Sequence, residues 1–175
     1  PSWGLASPFC SHGPVRKQTK QRQADLGFCM NPADVFELVT AKIPMVQKLG
    51  LKALDLSPTA VRIHLPFDPQ LGNHGGTIHV GAQFVAAETA ALAAGLLFLN
   101  GLGVTCHSKG CELRFRKPAR GDLWASAQLA ASDPGELKQR LVAEGKVDLA
   151  VLVDVTDGSS ERIAEGSVTL SLRRL

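Results

Sequence analysis

Apolar and polar positions along this chain follow two periods. In Ala60–Pro66, Val61, Ile63 and Leu65 alternate with Arg62 and His64, the period of a strand with one buried face. Leu149, Val151, Val153 and Val155 alternate with Ala150, Leu152 and Asp154, and Val168, Leu170 and Leu172 alternate with Thr169 and Ser171. Asp157-Gly158 between those last two runs is a hairpin turn signal. Weaker strand-like segments at about 104–117 and 122–131, and an apolar run at Leu49–Leu56 that Ser57-Pro58 separates from the next, bring the expected strands to six. Helical stretches interrupt them. Asn31-Pro32 is an N-cap with Pro at the first helical position, ahead of a Val35, Phe36, Leu38, Val39 stripe that Pro44 ends. A long helical run follows Thr77, and Pro134 to Ala143 reads as a short surface helix. Short connections in the order helix, two strands, long helix, four strands predict an α+β fold, with one six-stranded antiparallel sheet wrapped around a long central helix.

That central segment, Val80–Leu99, is apolar almost all round, so it is either a membrane span or a core helix enclosed by other elements. Glu88 decides between them. At a bilayer centre it would cost roughly 3 kcal/mol, and the segment is mostly weakly apolar Ala between amphipathic strands, which favours the enclosed helix. A carboxylate in a dry interior is costly unless it is paired or used. Burial alone leaves two readings open: a structural ion pair to a neighbouring strand or subunit, or a general base.

The loop before the helix supports the second reading. Asn73, His74, Gly75 and Gly76 lead into Thr77, so unpaired backbone N–H groups and the positive end of the helix dipole face whatever occupies the loop. Such donors can stabilise a developing oxyanion.

Composition narrows the partners. There is no Tyr and aromatic content is 5%, so stacking platforms for nucleic acid are lacking. The net charge of +3 sits in residues 1–29, where Arg16, Lys17, Lys20 and Arg22 outnumber Asp25, and the remainder is neutral and has no electrostatic footprint for DNA. Cys10, Cys29, Cys106 and Cys111 form no CxxC pair, which suggests neither a metal site nor a disulfide framework and fits a reducing, cytoplasmic setting. Residues 1–29 show no period and read as a flexible head, leader or appended sequence, ahead of a domain over 30–175.

Taken together, Asn73-His74-Gly75-Gly76-Thr77-Ile78-His79-Val80-Gly81 and the acidic Glu88 in an Ala-rich helix resemble the hotdog-fold acyl-CoA thioesterases, in their phenylacetate-type and 4-hydroxybenzoyl-CoA-thioesterase-like branches. The likeness runs from about Pro32 to Leu172, through Ser108–Phe115, Lys117-Pro118-Ala119 and the Gly121-Asp122 turn. It implies that Glu88 is general base or nucleophile, that Asn73 holds the water or the thioester, and that the Val80 N–H, helped by His79, polarises the carbonyl. It further implies that Ser108 approaches from a neighbouring subunit of a homodimer or homotetramer. Val80 stands where a Gly is usual, and Glu88 where many relatives have Asp. The implied substrate is an acyl-CoA, with no cofactor beyond the coenzyme A of the substrate, no nucleic acid and no membrane partner. Arg114, Arg116, Lys117 and Arg120 are candidate phosphate contacts, solvated charge being the other reading. Two further functions compete: a non-catalytic acyl-CoA or lipid binder, and a 3-hydroxyacyl thioester dehydratase using His74 and Glu88.

Overall fold

Alternation along Lys146–Asp157 (β5), and over Val168–Leu172 within Arg162–Arg174 (β6), builds the middle of the sheet, with every second side chain there buried and the two strands paired antiparallel from Val147↔Leu172 to Val155↔Ala164. A computed structural model describes residues 32–57, 61–99, 102–130 and 134–175. The expectations for residues 1–29 and for the Asn31 cap lie outside them. The remaining elements are α1 (Pro32–Ala41), α2 (Pro44–Lys48), β1 (Lys52–Leu56), β2 (Val61–Leu65), a 3-10 turn at Pro69–Leu71, α3 (Val80–Phe98), β3 (Val104–Phe115), β4 (Leu123–Leu129) and α4 (Pro134–Glu144). All strand pairs are antiparallel, in the order β1-β2-β4-β5-β6-β3. This is the hotdog architecture: one antiparallel sheet curled around one long helix.

Helix α3 has the length and apolarity of a membrane span, with a mean hydropathy of 1.5, but it is the core of the domain. Ala86, Ala87, Ala90, Ala91 and Ala93 are fully buried against the sheet, where small side chains let the helix backbone approach. Two differences from the sequence reading have physical causes. Pro44 ends α1 and also opens α2, since a fixed φ and a missing N–H suit a first helical turn as well as they break a preceding one. The run preceding α3 is not helical until Val80, because Asn73–His79 is held as a turn by its own hydrogen bonds.

The edge strand β3 carries a bulge. Its pairing with β6 shifts between Ser108 and Gly110, so Lys109 is an extra residue. Cys106 and Ser108 face α3 on one side of the bulge, and Cys111 and Leu113 pack toward the core on the other. The inward positions thus switch from even to odd numbers, and the alternation disappears from the sequence.

Candidate active site at the tip and open face of the central helix

Asn73 builds the loop that aims the helix. Its side-chain oxygen accepts from the N–H groups of Gly75 (2.9 Å) and Thr77 (3.2 Å), and its amide donates to Thr77 Oγ1 (2.9 Å). Further bonds tie the loop to its surroundings: Ile78 N–H donates to Ala119 O (2.9 Å) and His79 N–H to Leu71 O (2.8 Å). The Asn73 side chain is thus engaged by the loop's own backbone and Thr77. His74 is exposed at the tip of the turn.

His79 is the N-cap of α3, and its Nδ1 accepts from Gly81 N–H at 3.0 Å. An accepting Nδ1 leaves the proton of a neutral imidazole on Nε2, so the outer edge of the ring is a donor. Between His79 and Gly81, the Val80 N–H has no hydrogen-bond partner among the described residues, and Val80 is 43% exposed. A free backbone donor at the positive end of a 19-residue helix is suited to an oxyanion.

Glu88 lies two turns further along, half-buried. The hydroxyl of Ser108 donates to its Oε1. No salt bridge reaches Glu88 among the described residues, so the ion pair to a neighbouring strand of the same chain is not formed. Ser108 comes from the same chain, although the resemblance placed it in a neighbouring subunit. It stands on the helix-facing side of the edge strand, paired with the buried Leu170 and just ahead of the bulge.

Glu88 acts on the thiols beside it. Burial, and then the negative charge of Glu88, pushes the Cys106 thiol up to about 12, and the same two causes raise Cys111. Thiolate is the reactive form, so Cys106 in the folded protein should react with iodoacetamide at pH 8 about a thousandfold more slowly than in the unfolded chain. Mass spectrometry of the alkylated peptide checks this, and rapid labelling of native protein would contradict the packing of β3 against α3.

The basic residues are mostly committed. Arg114 pairs with Glu112 (3.2 Å), Arg116 with Glu165, and Lys117 with Glu161, all at the surface. Arg120 makes no ion pair among the described residues and adjoins Ala119, whose carbonyl holds the loop before α3. A polar cluster went unread in the sequence: Asp122 accepts from His64 Nε2 and from Phe67 N–H, both at 2.8 Å, while His64 stacks on Trp124 with centroids 5.2 Å apart. The Phe67 N–H bond, then the His64 bond, lower the pKa of Asp122. The cluster pins the segment after β2 to the start of β4.

A family model described as "Domain of unknown function (DUF4442)" matches residues 33–172. Among solved structures, a protein of unknown function from Pseudomonas aeruginosa, PA5026, described as "Probable Thioesterase", is 31% identical with a TM-score of 0.71, over 85% of this chain and 99% of that one. Thioesterase HI1161 from Haemophilus influenzae shares the fold at 18% identity and a TM-score of 0.67, over 85% of this chain and 94% of that one. A thioesterase family protein from Silicibacter pomeroyi shares it at 18% identity and a TM-score of 0.64, over 83% and 98%. No curated protein matches.

Proposed function

Because this chain belongs to the DUF4442 family and to the hotdog superfamily that includes thioesterases, we propose that it hydrolyses acyl thioesters, with acyl-CoA as the substrate class. The observation that carries the reading is Glu88: a half-buried carboxylate with no cation beside it, one oxygen held by Ser108, and a free N–H at Val80 on the same helix.

In this reading the thioester carbonyl oxygen accepts from the Val80 N–H, with His79 Nε2–H as a second donor. Ser108 fixes the Glu88 carboxylate so that its other oxygen takes a proton from water as the water oxygen bonds to the carbonyl carbon. The tetrahedral oxyanion is held at the helix tip. Its collapse breaks the C–S bond, the thiolate takes the proton from Glu88, and the free acid leaves. Direct attack by Glu88 on the carbonyl would instead give a mixed anhydride that water then opens, the other route by which this carboxylate can reach the same products.

Arg120, which makes no ion pair among the described residues and adjoins the loop before α3, is the residue we assign to a coenzyme A phosphate. A homodimer is part of the proposal. Val80, Phe84, Glu88, Leu92 and Leu96 repeat at four-residue intervals on the face of α3 that the sheet leaves open; Val80 and Phe84 are exposed, and β3 is a free edge beside them.

A panel of short, medium, long and aromatic acyl-CoAs tests the activity, read as free thiol released. Release from any of them at a rate that scales with enzyme supports it; none from the whole panel overturns it, and tight acyl-CoA binding without release would make the protein a binder.

A further inference from the structure

Beside the tip of α3 runs a groove of about 340 Å3 walled by Met45, Leu49, Leu71, Ala82 and Val85, with His79 and Gly81 at one end. No charged side chain lines it. Three separate segments build it: α2, the 3-10 turn after β2, and the first turns of α3. Met45 is 55% exposed, an apolar side chain presented to solvent along the groove wall.

Its position relative to the reacting groups is set by helix geometry. Gly81, Val85 and Glu88 follow the i, i+4, i+7 spacing of one helix face. At 1.5 Å per residue, Val85 stands about 4.5 Å along the axis from Glu88, and Gly81 about 10 Å. His79 and Gly81, at the end of the groove, flank the unpartnered Val80 N–H. A group whose carbonyl oxygen binds that N–H therefore has its next atoms at the mouth of a mainly apolar channel, in which Gln70 and His79 are the polar side chains.

We propose that this groove receives the acyl chain of the thioester and makes the protein selective for straight aliphatic chains of medium length, an inference that rests on the thioesterase reading. The lack of charge excludes the phosphates of coenzyme A from the groove and fits a hydrocarbon. At about 30 Å3 for a group the size of one water or methylene, the groove holds on the order of ten such groups, so longer chains must protrude. Met45, with its three rotatable bonds, closes over chains of differing length. The exposed Phe84 is not among the lining residues, so its ring is left outside the chain pocket.

The test compares full-length wild type with Val85→Phe, which narrows the groove, and Met45→Lys, which puts charge on its exposed wall. The readouts are kcat/KM over straight-chain acyl-CoAs from acetyl to palmitoyl, and calorimetric binding of the non-hydrolysable thioethers S-decyl-CoA and S-ethyl-CoA. Val85→Phe should lower kcat/KM for decanoyl-CoA by about tenfold or more while acetyl-CoA changes by less than about twofold, with the same selectivity in thioether binding. Met45→Lys should move both readouts in the same direction. Chain-length profiles that superimpose in all three proteins overturn the groove assignment and leave the hydrolase reading standing. If wild type turns over nothing, the hydrolase reading fails, and the thioethers still decide: tighter S-decyl-CoA binding by wild type than by either variant supports the groove, and equal binding sinks it. Should one variant not fold by circular dichroism, the other carries the comparison.

Discussion

Replacing Glu88 with Gln is expected to lower kcat for acyl-CoA hydrolysis by about 10² to 10⁴, the worth of a general base, with the fold intact. The amide has the shape of the carboxylate, and its oxygen can still accept from Ser108, so the packing of α3 against β3 changes little. What disappears is the proton acceptor and the charge. The lost charge has its own signature: without it the Cys106 thiol should fall from its raised value toward what burial alone imposes. Ser108→Ala should cost less, about tenfold, since it removes one hydrogen bond to a charged group. In the double variant the two losses should not add, because Ser108 acts through Glu88. Single-turnover thiol release, with melting temperature as control, measures all of this; a Glu88→Gln enzyme within about threefold of wild type would remove Glu88 from the chemistry.

Gly166→Ala should be the most damaging single methyl group in the protein. A Cβ at Gly166 would lie 1.9 Å from the carbonyl oxygen of Glu112 and 3.0 Å from Leu113 Cα. Those are main-chain atoms of the neighbouring strand, and no rotamer change moves them aside. Either β3 leaves β6 at this point or the ladder from Cys111↔Val168 to Phe115↔Ala164 distorts. Overpacking of this kind costs about 3 kcal/mol, a fall in melting temperature of about 6–12 °C for a domain of this size. Activity should fall as well, because β3 also carries Ser108. By contrast, a Cβ at Gly95 would meet the end of the Leu170 side chain at 2.5 Å, which can rotate, so Gly95→Ala should be milder. Urea or thermal unfolding ranks the two, and equal stabilities would mean that the close strand approach at Gly166 is wrong.

The sheet was legible wherever a strand had one wet and one dry face throughout, as in β2, β5 and β6, and the central helix was legible because nothing else in the chain is apolar all round. Strand β3 was legible as a strand over about 104–117 but not in which of its side chains face inward, since Lys109 breaks its alternation. Pro44 gave only half its meaning, a stop, because a start needs the tertiary packing of Val46, which is buried. In the site, Glu88 and the Gly75-Gly76 turn announce themselves by being out of place in their surroundings. Ser108 on its own looks like any strand serine, and only its partner on the helix gives it a role. The groove and the His64–Asp122–Trp124 cluster were invisible for a common reason: their members come from segments far apart in the chain, and no local period joins them.

The extra residue in β3 works like a shifted reading frame. Upstream of it the strand addresses Glu88, and downstream the opposite set of side chains serves the core, so one strand satisfies two demands that a regular ladder would put in conflict. Were Lys109 paired in a regular ladder instead of bulging from it, Glu112 and Arg114 would turn inward and Cys111 and Leu113 toward water without any change to those four residues. Which side chains of β3 face the helix and which face the solvent thus depends partly on a count of residues and on where the ladder places the extra one.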